Sequence, residues 1–167
     1  NQLGIPFVVI GEGQDEKRLK EMAKPNIHFE GWLDIPQILS HLTRCRAFVF
    51  CGEEDFGITP LEAQAMGKPV IAFGRGGALE TVIPDTRSWR PETEIPHTST
   101  SQPTGVFFYE HTPEALINAI KHFESIESQF DSDAIRNHAQ KFDGSVYTKR
   151  MKNFIQEQIE KRTDPNE

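Results

Sequence analysis

Ala47-Phe48-Val49-Phe50-Cys51-Gly52-Glu53-Glu54-Asp55-Phe56-Gly57-Ile58-Thr59-Pro60-Leu61-Glu62-Ala63-Gln64-Ala65-Met66-Gly67-Lys68-Pro69-Val70-Ile71-Ala72-Phe73 reads as one strand, turn, helix and strand. Ala47–Cys51 is a continuous apolar run, as a strand buried on both faces would be. Pro60–Met66 has helix-forming residues and ends at Gly67, the usual position for a C-terminal glycine. Pro69–Phe73 is a second apolar strand. Two such strands joined by a helix predict a right-handed crossover in a parallel sheet.

The same rhythm extends in both directions. Strands are predicted at Phe7–Gly11, Ile27–Glu30 and Val106–Tyr109, and the continuous apolar run Phe7-Val8-Val9-Ile10 likewise suits a strand buried on both faces. Helices are predicted at Asp15–Ala23, Ile35–Leu42, Gly77–Ile83, from Thr112 onward, at Ser132–Phe142 and at Ser145–Lys161. Leu19, Met22 and Ala23 share one face of the first helix. Thr112 is the expected N-cap of its helix, with Pro113 at the first helical position. The fold class is therefore α/β, a Rossmann-like parallel sheet flanked by helices. Pro84 to Pro103 breaks the rhythm with a long loop, in which Trp89 is a candidate partner anchor.

Composition sets the outer limits. The 167 residues suit one compact domain. A net charge of −7 excludes a nucleic-acid-coating protein, which would carry a basic stripe, so no nucleic acid is expected as a partner. The longest apolar run is too short to span a bilayer. Cys45 and Cys51 form no disulfide framework and are expected to be buried free thiols. His97, His111 and the other histidines form no ligand-like cluster, and no resident metal is expected. Phe123, Phe130, Phe142 and Phe154 are expected in the core. There is no leader segment and no starting methionine, which points to a piece of a longer protein. Residues 1–160 are the expected domain and 161–167 a frayed tail.

Ligands of parallel sheets bind beyond the C-terminal ends of the strands. After the first strand, Gly11-Glu12-Gly13 lets a ligand approach closely, but Glu16 stands where a dinucleotide fingerprint needs its third glycine. After the second strand stands Gly31-Trp32-Leu33. After the third, the amides of Gly57 to Leu61 make a helix start suited to phosphate. Glu54 and Glu62 flank that start and could accept from hydroxyls of two different sugars. Thr59 and Glu62 also fit a capping box, in which Glu62 would only satisfy a backbone donor. After the fourth strand, Gly74-Arg75-Gly76-Gly77 puts Arg75 within reach of an anion. A hard-cation cage from Glu53, Glu54 and Asp55 is a rival, but the spacing fits no calcium loop.

The run Glu54 to Ala72, with two glutamates that have seven residues between them, then an Ala-rich helix, a glycine, a proline and an apolar strand, resembles the signature of GT-B glycosyltransferases of family 4 (group 1). Gly11-Glu12-Gly13, Ile27–Leu33, Gly76–Glu80 and Thr104–Phe108 fall in that family's order, so the resemblance covers about residues 5 to 125. Glu53–Glu62 and Gly74–Val82 are most similar to bacterial polysaccharide mannosyl- and glucosyltransferases.

The resemblance implies the C-terminal, donor-binding half of a two-domain enzyme. That enzyme would transfer a hexose with retention from UDP-glucose or GDP-mannose to a glycan or polysaccharide acceptor, with no cofactor and no metal. It implies that Glu54, the catalytic-site glutamate, holds hydroxyls of the transferred sugar. The amides of Phe56, Gly57 and Ile58, joined by Thr59, would meet the sugar and diphosphate. Glu62 would hold the ribose, Leu33 would line the base, and Gly11 and Gly13 would admit the donor. Asp55 stands where many members have glycine.

The family's diphosphate-clamping Arg and Lys have no match in these residues. With the first strand and the acceptor domain also expected to be absent, the isolated chain is expected to bind donor weakly, to be inactive and to self-associate through an open sheet edge. The last helix is expected to pack on the absent half. The whole enzyme is expected in the cytoplasm or peripherally at the inner membrane. Two alternatives are a nucleotide-sugar epimerase of the same fold and a non-catalytic protein-interaction module.

Overall fold

The computed structural model describes residues 1–87 and 102–163, with side chains through 162. Trp89, His97 and most of the long loop lie outside the described residues, as does the end of the tail, residues 164–167. The elements in order are β1 (Phe7–Ile10), α1 (Glu16–Met22), β2 (Ile27–Gly31), α2 (Ile35–Arg44), β3 (Phe48–Phe50), α3 (Ile58–Ala65), β4 (Val70–Phe73), α4 (Ala78–Thr81), β5 (Gly105–Phe108), α5 (Pro113–Ile126), α6 (Ser132–Ala139) and α7 (Gly144–Thr163). Short 3-10 turns occupy Glu127–Gln129 and Gln140–Phe142, so the predicted helix Ser132–Phe142 tightens in its last turn. Helix α7 runs on to Thr163, into the stretch read as tail.

Among the described residues all strand pairs are parallel, as the crossovers require. They form two sheets, β1-β2 and β3-β4-β5, rather than one. In the larger sheet β4 is central, with Val70 opposite Phe48 and Gly105. Its side chains alternate between two cores, as the period of a strand dictates. Val70 and Ala72 join Phe50, Phe107, Leu42 of α2, Ala63 of α3 and Ala78 of α4. Ile71 and Phe73 join Val106, Phe108 and, from α5, Ala119, Phe123 and Ile126. Helices therefore cover both faces of this sheet.

The smaller sheet is different. Phe7 and Val8 are 37% and 42% exposed, against the expectation of a strand buried on both faces. The cause is that β1 pairs with β2 alone and α1 has no buried residue. Leu19 and Met22, the expected core face of α1, are exposed as well. Phe154 is also a correction. It lies 57% exposed on α7, in line with exposed Tyr147, Met151, Ile155 and Ile159, while Phe123 is buried and Phe130 and Phe142 are half-buried. Cys45 is half-buried and Cys51 exposed, because Cys51 follows the end of β3 out of the sheet. Desolvation at both sulfurs still raises the thiols.

The caps explain the boundaries. Asp34 and Gln37 close α2 with a reciprocal capping box. Thr112 accepts from the Ala115 amide at 3.2 Å, as its sequence position predicted. At the end of α3, Lys68 N–H donates to Ala63 O and Gly67 N–H to Gln64 O, a Schellman motif that needs the positive φ of Gly67. Arg46, just before β3, donates to Glu124 of α5 at 3.1 Å and to Glu127 of the following 3-10 turn at 3.0 Å. Among the described residues, no helix is long and apolar enough to cross a membrane.

The asymmetry between the sheets predicts unequal mutational costs. Ile71→Ala, at a site 2% exposed, is expected to destabilise by about 3 kcal/mol in urea unfolding. Leu19→Ala, at 41% exposure, is expected to cost under about 1 kcal/mol. Equal costs would contradict the placement of the core.

Candidate functional site

The segment after β3 turns into α3 through Gly57, whose φ of +79° is the left-handed region that only glycine adopts without strain. This corrects the expected capping box. Gly57 is the N-cap, no side chain caps the helix, and Thr59 and Pro60 already lie in its first turn. The carboxylate of Glu62 is therefore not spent on the backbone. It is exposed one turn into the helix.

The amides of Phe56, Gly57, Ile58 and Thr59 donate to no group among the described residues. They are the unpaired donors of an eight-residue helix, at its positive end. Glu53, Glu54 and Asp55 precede them on the surface, and Phe56 and Ile58 are 42% and 65% exposed. The arrangement offers backbone donors at its centre, an acceptor carboxylate on each side and apolar surface between. A group with negative charge in the middle and hydroxyls at both ends matches it.

The loop is held from behind. Gly77 N–H donates to Glu54 O at 2.7 Å. A Cβ on Gly77 would lie 2.4 Å from Phe56 Cα, and one on Gly76 would lie 2.4 Å from Glu54 O. Both glycines are thus required for backbone-on-backbone contact. The sequence showed the doublet as a Gly-rich turn, but nothing local revealed what it touches. The ring of Phe56 meets Phe142 edge-on, centroids 6.1 Å apart, a contact the sequence did not signal. Arg75 is exposed, its guanidinium 5.8 Å from the centroid of Phe73.

The other predicted residues sit on the smaller sheet. Gly11 has φ +114° and donates to Gly31 O at 2.7 Å, which draws the ends of β1 and β2 together. Gly11 and Gly13 have open space where a Cβ would be, and Leu33 is half-buried two residues beyond β2. No hydrogen bond, ion pair or ring contact among the described residues links this group to Glu54–Glu62.

Elsewhere, a shallow concavity of about 410 Å³ runs along β5 and α5 and includes His122. There His122 Nε2 lies 2.8 Å from Asp85 Oδ2, a pair that no sequence signal marked. Among the described residues no three His, Cys, Asp or Glu side chains converge as a metal site.

Comparison with known proteins follows the same lines. The family model described as "Glycosyl transferases group 1" matches residues 1–142. A GDP-mannose-dependent monoacylated alpha-(1-6)-phosphatidylinositol monomannoside mannosyltransferase of Corynebacterium glutamicum is 36% identical over 91 residues, covering 48% of this chain and 24% of the relative. Among solved structures, a sucrose-phosphate synthase from Thermosynechococcus elongatus superposes with a TM-score of 0.68 at 20% identity, over 92% of this chain and 38% of that one. HepE of Anabaena in complex with UDP superposes at 0.64 with 19% identity, over 92% and 41%. This chain thus spans well under half the length of the proteins it resembles. The low-identity superpositions establish a GT-B-type fold, the α/β class with parallel strands flanked by helices. By the extent of the family match, the chain belongs to the group 1 glycosyl transferases.

Proposed function

We propose that this chain is the donor-binding half of a retaining hexosyltransferase that takes a UDP- or GDP-linked hexose and passes it to a glycan acceptor. The observation that carries the reading is the left-handed Gly57 N-cap, with free amides at Phe56–Thr59 and unengaged carboxylates at Glu54 and Glu62. The mannosyltransferase relative is GDP-mannose-dependent by name, and the HepE structure holds UDP.

In this reading the amides of Phe56, Gly57 and Ile58, with Thr59, face the diphosphate and the near side of the hexose. Glu54 accepts from hexose hydroxyls and Glu62 from the ribose. Leu33 borders the base, and Gly11 and Gly13 leave room for the donor. In the reaction the anomeric carbon loses its bond to the diphosphate oxygen and gains one to the acceptor oxygen, and the acceptor proton passes to the leaving diphosphate. The helix dipole and fixed amides stabilise the charge that develops on that leaving group, the term expected to dominate. No metal is needed in that scheme. The donor's negative charge still faces an acidic chain, so the reading assigns the cationic clamp to polypeptide outside these residues.

The same reading gives the gap between the sheets an occupant. In a doubly wound sheet the strand order reverses around a central first strand. β2-β1 and β3-β4-β5 are the two sides of such an order with that strand absent. The free edges of β1 and β3 would then pair with a second copy when this chain is expressed alone.

Calorimetric titration of the full-length protein with UDP, GDP and their hexose conjugates is expected to show one saturable nucleotide. Glu62→Ala is expected to weaken it about tenfold or more, and Gly57→Ala about tenfold through backbone strain. Glu54→Gln is expected to lower turnover about 100-fold or more while nucleotide binding persists. Gly77→Ala is expected to fold and lose donor binding, because its Cβ displaces the Phe56 backbone. Failure to bind any of these nucleotides would remove the reading. In sedimentation velocity, the isolated chain is expected to associate with rising concentration, and Val8→Lys on the β1 edge to suppress this. A strictly monomeric isolated chain would rule the open edges out as a dimer contact.

A further inference from the structure

The loop that carries Glu54 and Phe56 is gripped at two points, and the two grips belong to one circuit. At the first, Gly77 N–H donates to Glu54 O. The carbonyl of the same Gly77 accepts from Thr81 Oγ at 3.0 Å, and Thr81 is fully buried. The Thr81 carbonyl accepts twice, from Gln64 Nε2 at 3.0 Å and from His138 Nε2 at 3.0 Å. A carbonyl cannot donate, so His138 carries its proton on Nε2. The His138 ring meets Phe142 edge-on, centroids 5.4 Å apart, and Phe142 in turn meets Phe56 at 6.1 Å. The path from Glu54 through Gly77, Thr81, His138 and Phe142 thus returns to Phe56 in the same loop.

We infer that Phe142, oriented by His138, is a positioning residue for sugar-nucleotide binding. It fixes the Phe56 ring, and with it the backbone amides that begin α3. The inference deepens the donor-site reading and rests on it. Two features separate this role from ordinary packing. Phe56 is 42% exposed, so its burial alone does not hold it. Phe142 sits in the 3-10 turn Gln140–Phe142, far along the chain from the site and outside every strand of the sheet. Its ring is thus the lateral stop for the Phe56 side chain, while the backbone of the loop is held by the Gly77 hydrogen bond and by close approach of Gly76 and Gly77.

The test uses the full-length protein and the nucleotide sugar that it binds. Phe142→Leu is expected to weaken that ligand about threefold to tenfold, the worth of one aromatic pair. The matching nucleoside, which lacks the diphosphate and meets only Leu33 and Glu62, is expected to keep its affinity within about twofold. Amide exchange at Gly57 and Ile58 is expected to quicken in the variant while that of α5 stays unchanged. Phe142→Tyr, which keeps the ring, is expected to restore both. In a Phe56→Leu background, Phe142→Leu is expected to add nothing, since it acts through that ring. If Phe142→Leu folds poorly, Phe56→Leu alone removes the same ring pair from the surface side and is expected to weaken the nucleotide sugar to the same extent, and unchanged affinity there would overturn the inference.

Unchanged sugar-nucleotide affinity and exchange in Phe142→Leu would overturn the inference and leave the donor site standing. Full additivity with Phe56→Leu would do the same. Absence of any nucleotide-sugar binding by the unaltered protein would overturn the donor site and this inference together.

Discussion

Every side chain of β4 is buried, and the structure depends on that constraint. Val70, Ile71, Ala72 and Phe73 point alternately into two separate cores, so β4 must be flanked by strands on both edges and helices on both faces. Gly105 on β5 shows how tight the fit is, since a Cβ there would lie 2.1 Å from Val70 O. Fixing β4 fixes the exits of β3 and β4, and those exits are the acidic loop and the Gly76-Gly77 turn. Their contact, Gly77 N–H on Glu54 O, is therefore a consequence of strand register as much as of local turn chemistry.

Much of this was legible because strands in a parallel sheet carry short, uninterrupted apolar runs. Phe48–Phe50, Val70–Phe73 and Gly105–Phe108 stand out for that reason. The cap of α5 was legible too, since threonine before proline has few other uses. The N-cap of α3 was not. Thr59 with Glu62 three residues on and Gly57 two residues back are both valid start signals, and the geometry of leaving β3 favours the glycine. A sequence reading has no access to that geometry. The choice matters, because it releases the Glu62 carboxylate for a ligand.

Burial was the least legible property. β1 has the same apolar character as β4, but Phe7 and Val8 are exposed and Val9 and Ile10 only half-buried, because β1 pairs on one edge only among the described residues. Phe154 on α7 and Phe123 on α5 are the same residue type in helices, one 57% exposed and the other 2%. Which is covered depends on partners that lie elsewhere in the chain or outside it. Phe142 sat between these cases. The expectation of a core residue was half right, since the half-buried ring packs both with His138 and with the exposed Phe56.

The candidate donor residues are divided between two unequal bodies, and that division has an energetic consequence. Glu54 to Glu62 stand on the sheet that holds both cores, so their geometry is set before any ligand arrives. Gly11, Gly13 and Leu33 stand on β1 and β2, where α1 buries nothing and β1 keeps a free edge. Segments with few buried contacts open at lower free energy than the core. A ligand that bridged both bodies would have to order the second one, and that ordering subtracts from its affinity. On the proposed donor reading, the pre-set half takes the diphosphate and the sugar, where chemistry demands fixed donors. The loosely held half takes the base, where recognition tolerates adjustment. The division then adds an ordering cost to donor binding, separate from the contribution of a cationic clamp outside these residues.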